Sequence, residues 1–365
     1  MSNYWKERFA DDNAFFSDES LFAFLTGSRV SERMNELRKS IHYVRNNWNK
    51  RTELFDSFVS VFPSIDKYIV TNKDWLEFPN DKTFDLEKDF PLIKLYTSER
   101  GYTSIFNSMN QLLRNADASE KEFHAAALLV EFLNIELYNY INAYPDKSAF
   151  EGIIYRGLAV RPAVVDGFKN LFLKPVKERS VGIPLGFMSA TKNEKTALEF
   201  ARRKSTDGRK PLLWKIHVFS LSENLLEIYK SYYPSAIVSS LCSVPIYDLS
   251  EYAKEMEVLL RGAFFQILRA YWDEKEKVTV VEACMLNANR DHIKTNELND
   301  TGAQKLFGNL VQLDKMHKCS DLMRNLNLES AFLYDEEAKK AAYNLEEALQ
   351  ACRAEKLNNE KVVLI

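Results

Sequence analysis

The stretch SEYAKEMEVLLRGAFF, Ser250 to Phe265, sets two glutamates one residue apart at the head of an apolar run. That run is rich in branched and aromatic side chains, the composition of a strand. In an extended strand, residues i and i+2 point to the same face, about 7 Å apart along the chain. A strand that opens at Glu255 therefore places Glu255 and Glu257 on one face of a sheet. Two like charges held that close repel, and something elsewhere in the fold has to offset the cost.

Working outward, four more stretches share the strand composition: GIIYRGL (152–158), IPLGFMSA (183–190), LLWKIHVF (212–219) and KVTVVEACML (277–286). One helix, KNEKTALEFARRK (192–204), interrupts them after Thr191. Upstream, Ile105, Met109, Leu112 and Leu113 mark a short helix. Phe123, Ala127, Val130, Leu133, Leu137 and Ile141 mark a longer one, ended by the turn residues of AYPDKSAF (143–150). Helices followed by a cluster of strands predict an α+β fold, not an alternating parallel sheet.

The flanks read differently. Val30, Met34, Leu37, Ile41, Val44 and Trp48 recur at helical spacing behind Ser31, opposite a basic face of Arg33, Arg38, Lys39 and Arg45. That face reads as solvated, with a partner or lipid docking surface as the sharper alternative. FPNDKTFDLEKDFP (78–91) reads as a linker. Beyond Asn287 the chain turns helical again, with an apolar stripe of Ala338, Ala341, Ala342, Leu345, Leu349 and Cys352. The expected organisation is a helical region at 1–90, a catalytic domain at 91–288 and a helical extension at 289–365.

A chain of 365 residues, 46% hydrophobic, buries a substantial core, and 11 glycines and 10 prolines argue against low complexity. A net charge of −3 gives no global argument for nucleic acid or an anionic membrane. The four cysteines, Cys242, Cys284, Cys319 and Cys352, lack CxxC spacing and match no common zinc pattern, so no metal is expected. Scattered thiols fit a reducing compartment. The N-terminus lacks an apolar signal core, and no run nears the ~18 apolar residues of a membrane span. The expected setting is cytoplasmic, or a host cytosol reached without a signal peptide.

GxGxxG after a strand, GxxxxGK[ST], HExxH and GxSxG are all absent. What remains is a dispersed set, each member with a plain alternative. Arg156, in an apolar strand, pairs in a structural salt bridge or binds an anion. Ser189 and Thr191 cap a helix or serve a site. Glu255 and Glu257 are exposed acids or a working pair.

Taken together, these residues resemble the mono-ADP-ribosyltransferases, in the arginine-specific branch that carries an R-S-E triad. Tyr96-Thr97, Asn110 and Leu113-Arg114 are similar to that family's helical preamble. YRG is similar to its first motif, and FMSAT followed by ALEFA to its serine motif. Ile246, Ser250, Tyr252, Glu255, Glu257, Val258 and Leu259 match its I…S-x-Y-x-x-E-x-E-V-L pattern. The likeness covers about Tyr96 to Asn287. Two departures stand out: Ala190 occupies the usual threonine position of the serine motif, and EIYKSYYPSAIVSSLCSVP (227–245) is a long insertion upstream of the glutamates.

The resemblance implies a split β-sandwich core preceded by helices, with helical extensions at both ends. It implies cleavage of NAD at the nicotinamide–ribose bond and transfer of ADP-ribose to an arginine of a target protein. Glu257 would stabilise the ribosyl cation, Ser189 would hold Glu257, and Glu255 would serve the incoming guanidine. Arg156 would hold a phosphate, and Gly157 would let the backbone approach the nicotinamide. Phe200 would stack on the ring and Arg203 would reach the pyrophosphate. The rival readings are an NAD glycohydrolase using water, a non-catalytic binding module of the same fold, and a sugar-cleaving hydrolase using the two acids.

Overall fold

Strand β6, Glu257–Asp273, is long enough to serve two layers of sheet at once. The computed structural model describes residues 50–65, 84–114, 118–147, 150–203, 205, 208–234, 236–239, 242–292 and 301–362, with 39, 40, 43, 46 and 47. The stripe from Val30 to Trp48 and the first part of the 78–91 linker lie outside the described residues.

The first half of β6 pairs antiparallel with β2 (Ser180–Thr191), the second half with β7 (Val278–Leu286). β7 runs parallel to β3 (Lys210–Phe219), and β3 antiparallel to β1 (Gly152–Val160). β1 and β2 meet at a single pair, Tyr155 with Thr191. The order β2-β1-β3-β7-β6-β5, with β5 at Ser243–Pro245, thus closes on itself through β2–β6. A split remains along β1 and β2. Alternate residues fill the space between the layers: Ile154, Trp214, Ile216, Val281 and Ala283 from one side, Met188, Ala190, Val258, Leu260 and Phe265 from the other.

Helices cover the outer faces. α1 (Arg51–Val59), α2 (Pro91–Thr97), α3 (Asn107–Arg114) and α4 (Glu120–Ala143) share one core with Phe187, Val244 and Leu259 of the β2–β6–β5 layer. α4 opens with a capping box, Ser119 with Glu122, and is buried nearly all round, Glu131, Asn134, Glu136 and Asn139 included. α5 (Pro162–Leu171) sends Phe168 edge-on against Trp214, centroids 5.4 Å apart. α6 (Glu194–Arg203) lies on β1 and β3. α7 (Glu223–Tyr232), α8 (Thr301–Asn325) and α9 (Ala331–Val362) pack on Leu268, Cys284 and Leu286.

The α+β class and the five long strands stand as read. Two helices, α5 and α7, are additions that the sequence reading lacks. The 227–245 insertion is not a loop: it holds the end of α7, β4 (Ala236–Ser239) and β5. β4 pairs with β8 (Asn289–His292), so the segment after Asn287 begins as strand rather than helix. Of the C-terminal stripe, Ala338, Ala341, Leu345, Leu349 and Cys352 are buried, while Ala342 is exposed. Among the described residues no helix is long and apolar enough to cross a membrane.

One polar row ties together β3, β7 and β6. Glu282 is fully buried, with Lys215 Nζ at 3.0 Å, His217 Nε2 at 2.8 Å and Arg269 Nε at 2.6 Å. Burial alone would raise its pKa, but the hydrogen bonds from His217, Arg269 and Lys215 hold it down at about 2. Replacing Glu282 with alanine strands two cations and is expected to remove on the order of 3 kcal/mol of stability, by denaturant titration. Because the folded pKa is depressed, this contribution is complete above pH 4.5 and fades as pH falls toward 2. An alanine variant as stable as the parent at pH 7 contradicts the assignment.

Candidate active site

The strand opens at Glu257, not at Glu255. Glu255 closes a 3-10 turn, Ala253–Glu255, and Met256 behind it adopts a left-handed conformation with φ of 52°. The two acids therefore do not share a strand face. The end of β2 imposes this geometry: the Thr191 hydroxyl donates to the Glu255 carbonyl, and the Lys192 N–H donates to the Met256 carbonyl at 3.0 Å. A non-glycine residue at positive φ costs about 1 kcal/mol or more, and such strain persists only where surrounding contacts over-determine it. Here the turn brings Glu255 beside Glu257 electrostatically while freeing its direction from the pleat.

Glu257 stands directly across from Thr191 in the β2–β6 ladder. Ser189, two residues back on the same face of β2, adjoins Glu257 and favours its charged form. On its other side, Ser189 Oγ lies 3.0 Å from the hydroxyl of Tyr96, which α2 supplies. Arg156, next to Tyr155 on β1, crosses the split and donates to the main-chain carbonyl of Ser189. Burial is the main influence on Glu257 and pushes it up to about 7; the neighbouring charge of Glu255 adds to this, and Ser189 and Arg156 oppose it. Tyr96 is raised above its ordinary value, again chiefly by burial, with the Glu257 charge adding. Glu255 is raised more by burial than it is lowered by Arg203.

Of the sequence-predicted residues, Arg156, Ser189 and Glu257 come together, with Glu255 adjoining. Neither Ser189 nor Thr191 caps α6. Asn193 does, its Oδ1 accepting from the Lys195 N–H at 3.1 Å. Gly157 sits under that helix: a Cβ there would fall 1.7 Å from the Ala197 carbonyl oxygen, so the glycine is required to seat α6 on β1. Phe200, on α6, is 38% exposed. Arg203 is exposed and pairs with Glu199 at 3.3 Å. Ala190 points away from Ser189 into the apolar interior, so an alanine there leaves the serine's contacts intact. Tyr96 belongs to the stretch similar to the helical preamble, and its position on Ser189 is legible only in three dimensions. A cavity of about 530 Å³, lined by Tyr43, Lys50, Phe58 and His124 among others, includes none of these residues. Among the described residues no group of three His, Cys, Asp or Glu side chains is placed to hold a metal ion.

No protein-family model matches the chain, and no curated protein matches it. Solved structures with a similar mixed helix-and-sheet arrangement include the ADP-ribosyltransferase HopU1 of Pseudomonas syringae pv. tomato DC3000. It is 15% identical, with 55% of this chain and 78% of that one covered and a TM-score of 0.36. The Vis toxin, an ADP-ribosyltransferase of Vibrio splendidus, is 15% identical over 68% of this chain and 89% of its own, TM-score 0.35. An ADP-ribosyltransferase of Clostridium botulinum is 15% identical over 63% of this chain and 95% of its own, TM-score 0.32. Overlaps this loose carry no weight on chemistry, which rests on the side chains above.

Because its folded pKa is raised from 4.5 to about 7, Glu257 makes the fold progressively less stable as pH rises through that interval. Glu257→Gln removes the charge and keeps the shape. Its melting temperature is expected to equal the parent's near pH 4.5 and exceed it at pH 8. A difference that does not change with pH contradicts the burial argument.

Proposed function

We propose that the chain is a mono-ADP-ribosyltransferase that cleaves NAD and passes ADP-ribose to an arginine side chain. The observation that carries this reading is the convergence of Arg156, Ser189 and Glu257 at the split between β1 and β2. In that reading, a planar guanidinium with five N–H donors suits a phosphate of NAD, and Arg156 has donors beyond the one it gives to Ser189. The C1′–N1 bond breaks and its electron pair leaves with nicotinamide. The ribose is left cation-like at C1′, and the Glu257 carboxylate stabilises it, as carboxylates do in glycoside cleavage.

The acceptor completes the balance. A guanidinium nitrogen attacks C1′ and loses its proton to the Glu255 carboxylate, whose pKa burial raises above the ordinary carboxylate value. Glu255 stands off the strand, on the turn, and is assigned to the acceptor, with Glu257 assigned to the sugar. Phe200, exposed on α6, remains the candidate to stack on the nicotinamide ring. Arg203, paired with Glu199 and acting on Glu255, is assigned to the acceptor side as readily as to the pyrophosphate.

Nicotinamide release from NAD, with agmatine as guanidino acceptor, tests the roles separately. Glu257→Gln is expected to lower release by about 100-fold or more. Glu255→Gln is expected to keep slow release into water and lose transfer to agmatine. In the parent, kcat/KM should climb with pH through about 7 as Glu257 loses its proton. Full release by Glu257→Gln contradicts the reading, and equal loss of both activities in Glu255→Gln leaves no separate task for that residue.

A further inference from the structure

Helix α2 has no cap of its own. Phe90, at the N-cap, is left-handed with φ of 67°, and its side chain offers no acceptor. Pro91 has no N–H, so the first amides needing partners are those of Leu92 and Ile93, both fully buried. Buried amides without partners are costly. A single atom answers both: Glu136 Oε2, from the middle of α4, accepts from Leu92 N at 2.8 Å and Ile93 N at 2.9 Å.

This arrangement is expensive in itself. Glu136 is 3% exposed, and its second oxygen, Oε1, is buried with no hydrogen-bond partner. Burial pushes its pKa up to about 8, against the pull of the two amides, and a carboxyl group kept under those conditions points to a task that an apolar residue cannot perform. The far end of α2 identifies it. Tyr96 lies there, its ring edge-on to Phe106 at 4.8 Å and its hydroxyl 3.0 Å from Ser189 Oγ. Just beyond, Ser98 accepts from the Gly101 N–H at 3.0 Å, and a Cβ on Gly101 would fall 1.9 Å from the Leu95 carbonyl oxygen. The helix is therefore gripped at both ends.

The direction of the hydrogen bonds follows from the inventory of donors. An ionised Glu257 only accepts, so its charge favours a Ser189 hydroxyl that turns its one proton toward it. Tyr96, which burial keeps neutral, then donates to Ser189. A shift of α2 breaks that donation and leaves the Ser189 hydroxyl free to turn from Glu257.

We propose that Glu136 is a positioning residue for the site: capping α2 from a distance, it holds Tyr96 on Ser189 and so orients the Glu257 carboxylate. The proposal deepens the activity given above and rests on it for its kinetic part only.

The test pairs kinetics with the hydroxyl proton resonance of Tyr96 by NMR, which reads the contact whatever the chemistry. Glu136→Leu removes the acceptor, Glu136→Gln keeps an oxygen in place, and Glu136→Asp draws the acceptor back by about one bond length. The leucine and aspartate variants are expected to lose the protected Tyr96 hydroxyl signal. Their kcat for nicotinamide release should fall about 10-fold to 100-fold with KM for NAD little changed, and glutamine should restore both. Adding Tyr96→Phe to either should cost nothing more. A retained Tyr96 signal in the aspartate variant overturns the proposal. So does an unchanged kcat per folded molecule, which leaves Glu136 a purely structural part. If the parent releases no nicotinamide, the activity reading fails while the NMR result still decides the positioning.

Discussion

The fold depends on one pairing. β2 and β6 lie side by side with Thr191 opposite Glu257, and every other part of the site is fixed relative to that rung. Because the pleat alternates, the same rung sends Met188, Ala190, Val258 and Leu260 into the sandwich and Ser189 and Glu257 toward the helices. A slip of one residue would reverse both sets, burying charge in the core and exposing the core to water. The apolar half of the pattern thus protects the register of the polar half. β1 touches this pair at one position only, and the resulting split is where Arg156 crosses to β2.

Two opposing electrostatic demands meet at the split. Burial resists ionisation of Glu257, and the repulsion of Glu255 adds to that resistance. Ser189 and Arg156 pull the other way, and the outcome is a carboxyl poised near neutrality. The turn before β6 separates the two acids in direction without separating them far in charge. Met256 in its left-handed conformation is the local cost of that turn, held in place by bonds from Thr191 and Lys192. In the other layer, the Glu282 row does the reverse: hydrogen bonds outweigh burial, and its carboxylate stays ionised. Glu282, the more deeply buried of the two by exposed area, is thus the one that stays ionised, because it has three hydrogen-bond donors.

Much of this is legible in the residues. The five long strands carry branched and aromatic composition, and the order Arg156, Ser189, Glu255, Glu257 survives into space. What fails is local. The two-residue spacing of the acids suggests one strand face, because nothing in the sequence announces that Met256 turns left-handed. α5 and α7 escape notice, since PAVVDGFKNL and ENLLEIYKSY are short and their apolar faces are set by the sheet they cover. Gly157 has a packing reason that its sequence context does not announce, since the backbone of α6 fills the space of a side chain there. Tyr96 and Glu136 are invisible as partners, being separated by forty residues and joined through a helix whose cap comes from another helix.

The most direct measurement is a crystal structure of the chain soaked with NAD at low temperature. The account predicts the nicotinamide-bearing ribose between Ser189 and Glu257, a phosphate on the Arg156 guanidinium, and Glu255 facing open solvent across the ribose. Dinucleotide bound elsewhere on the molecule, with the β1–β2 split still closed by its own side chains, would contradict it.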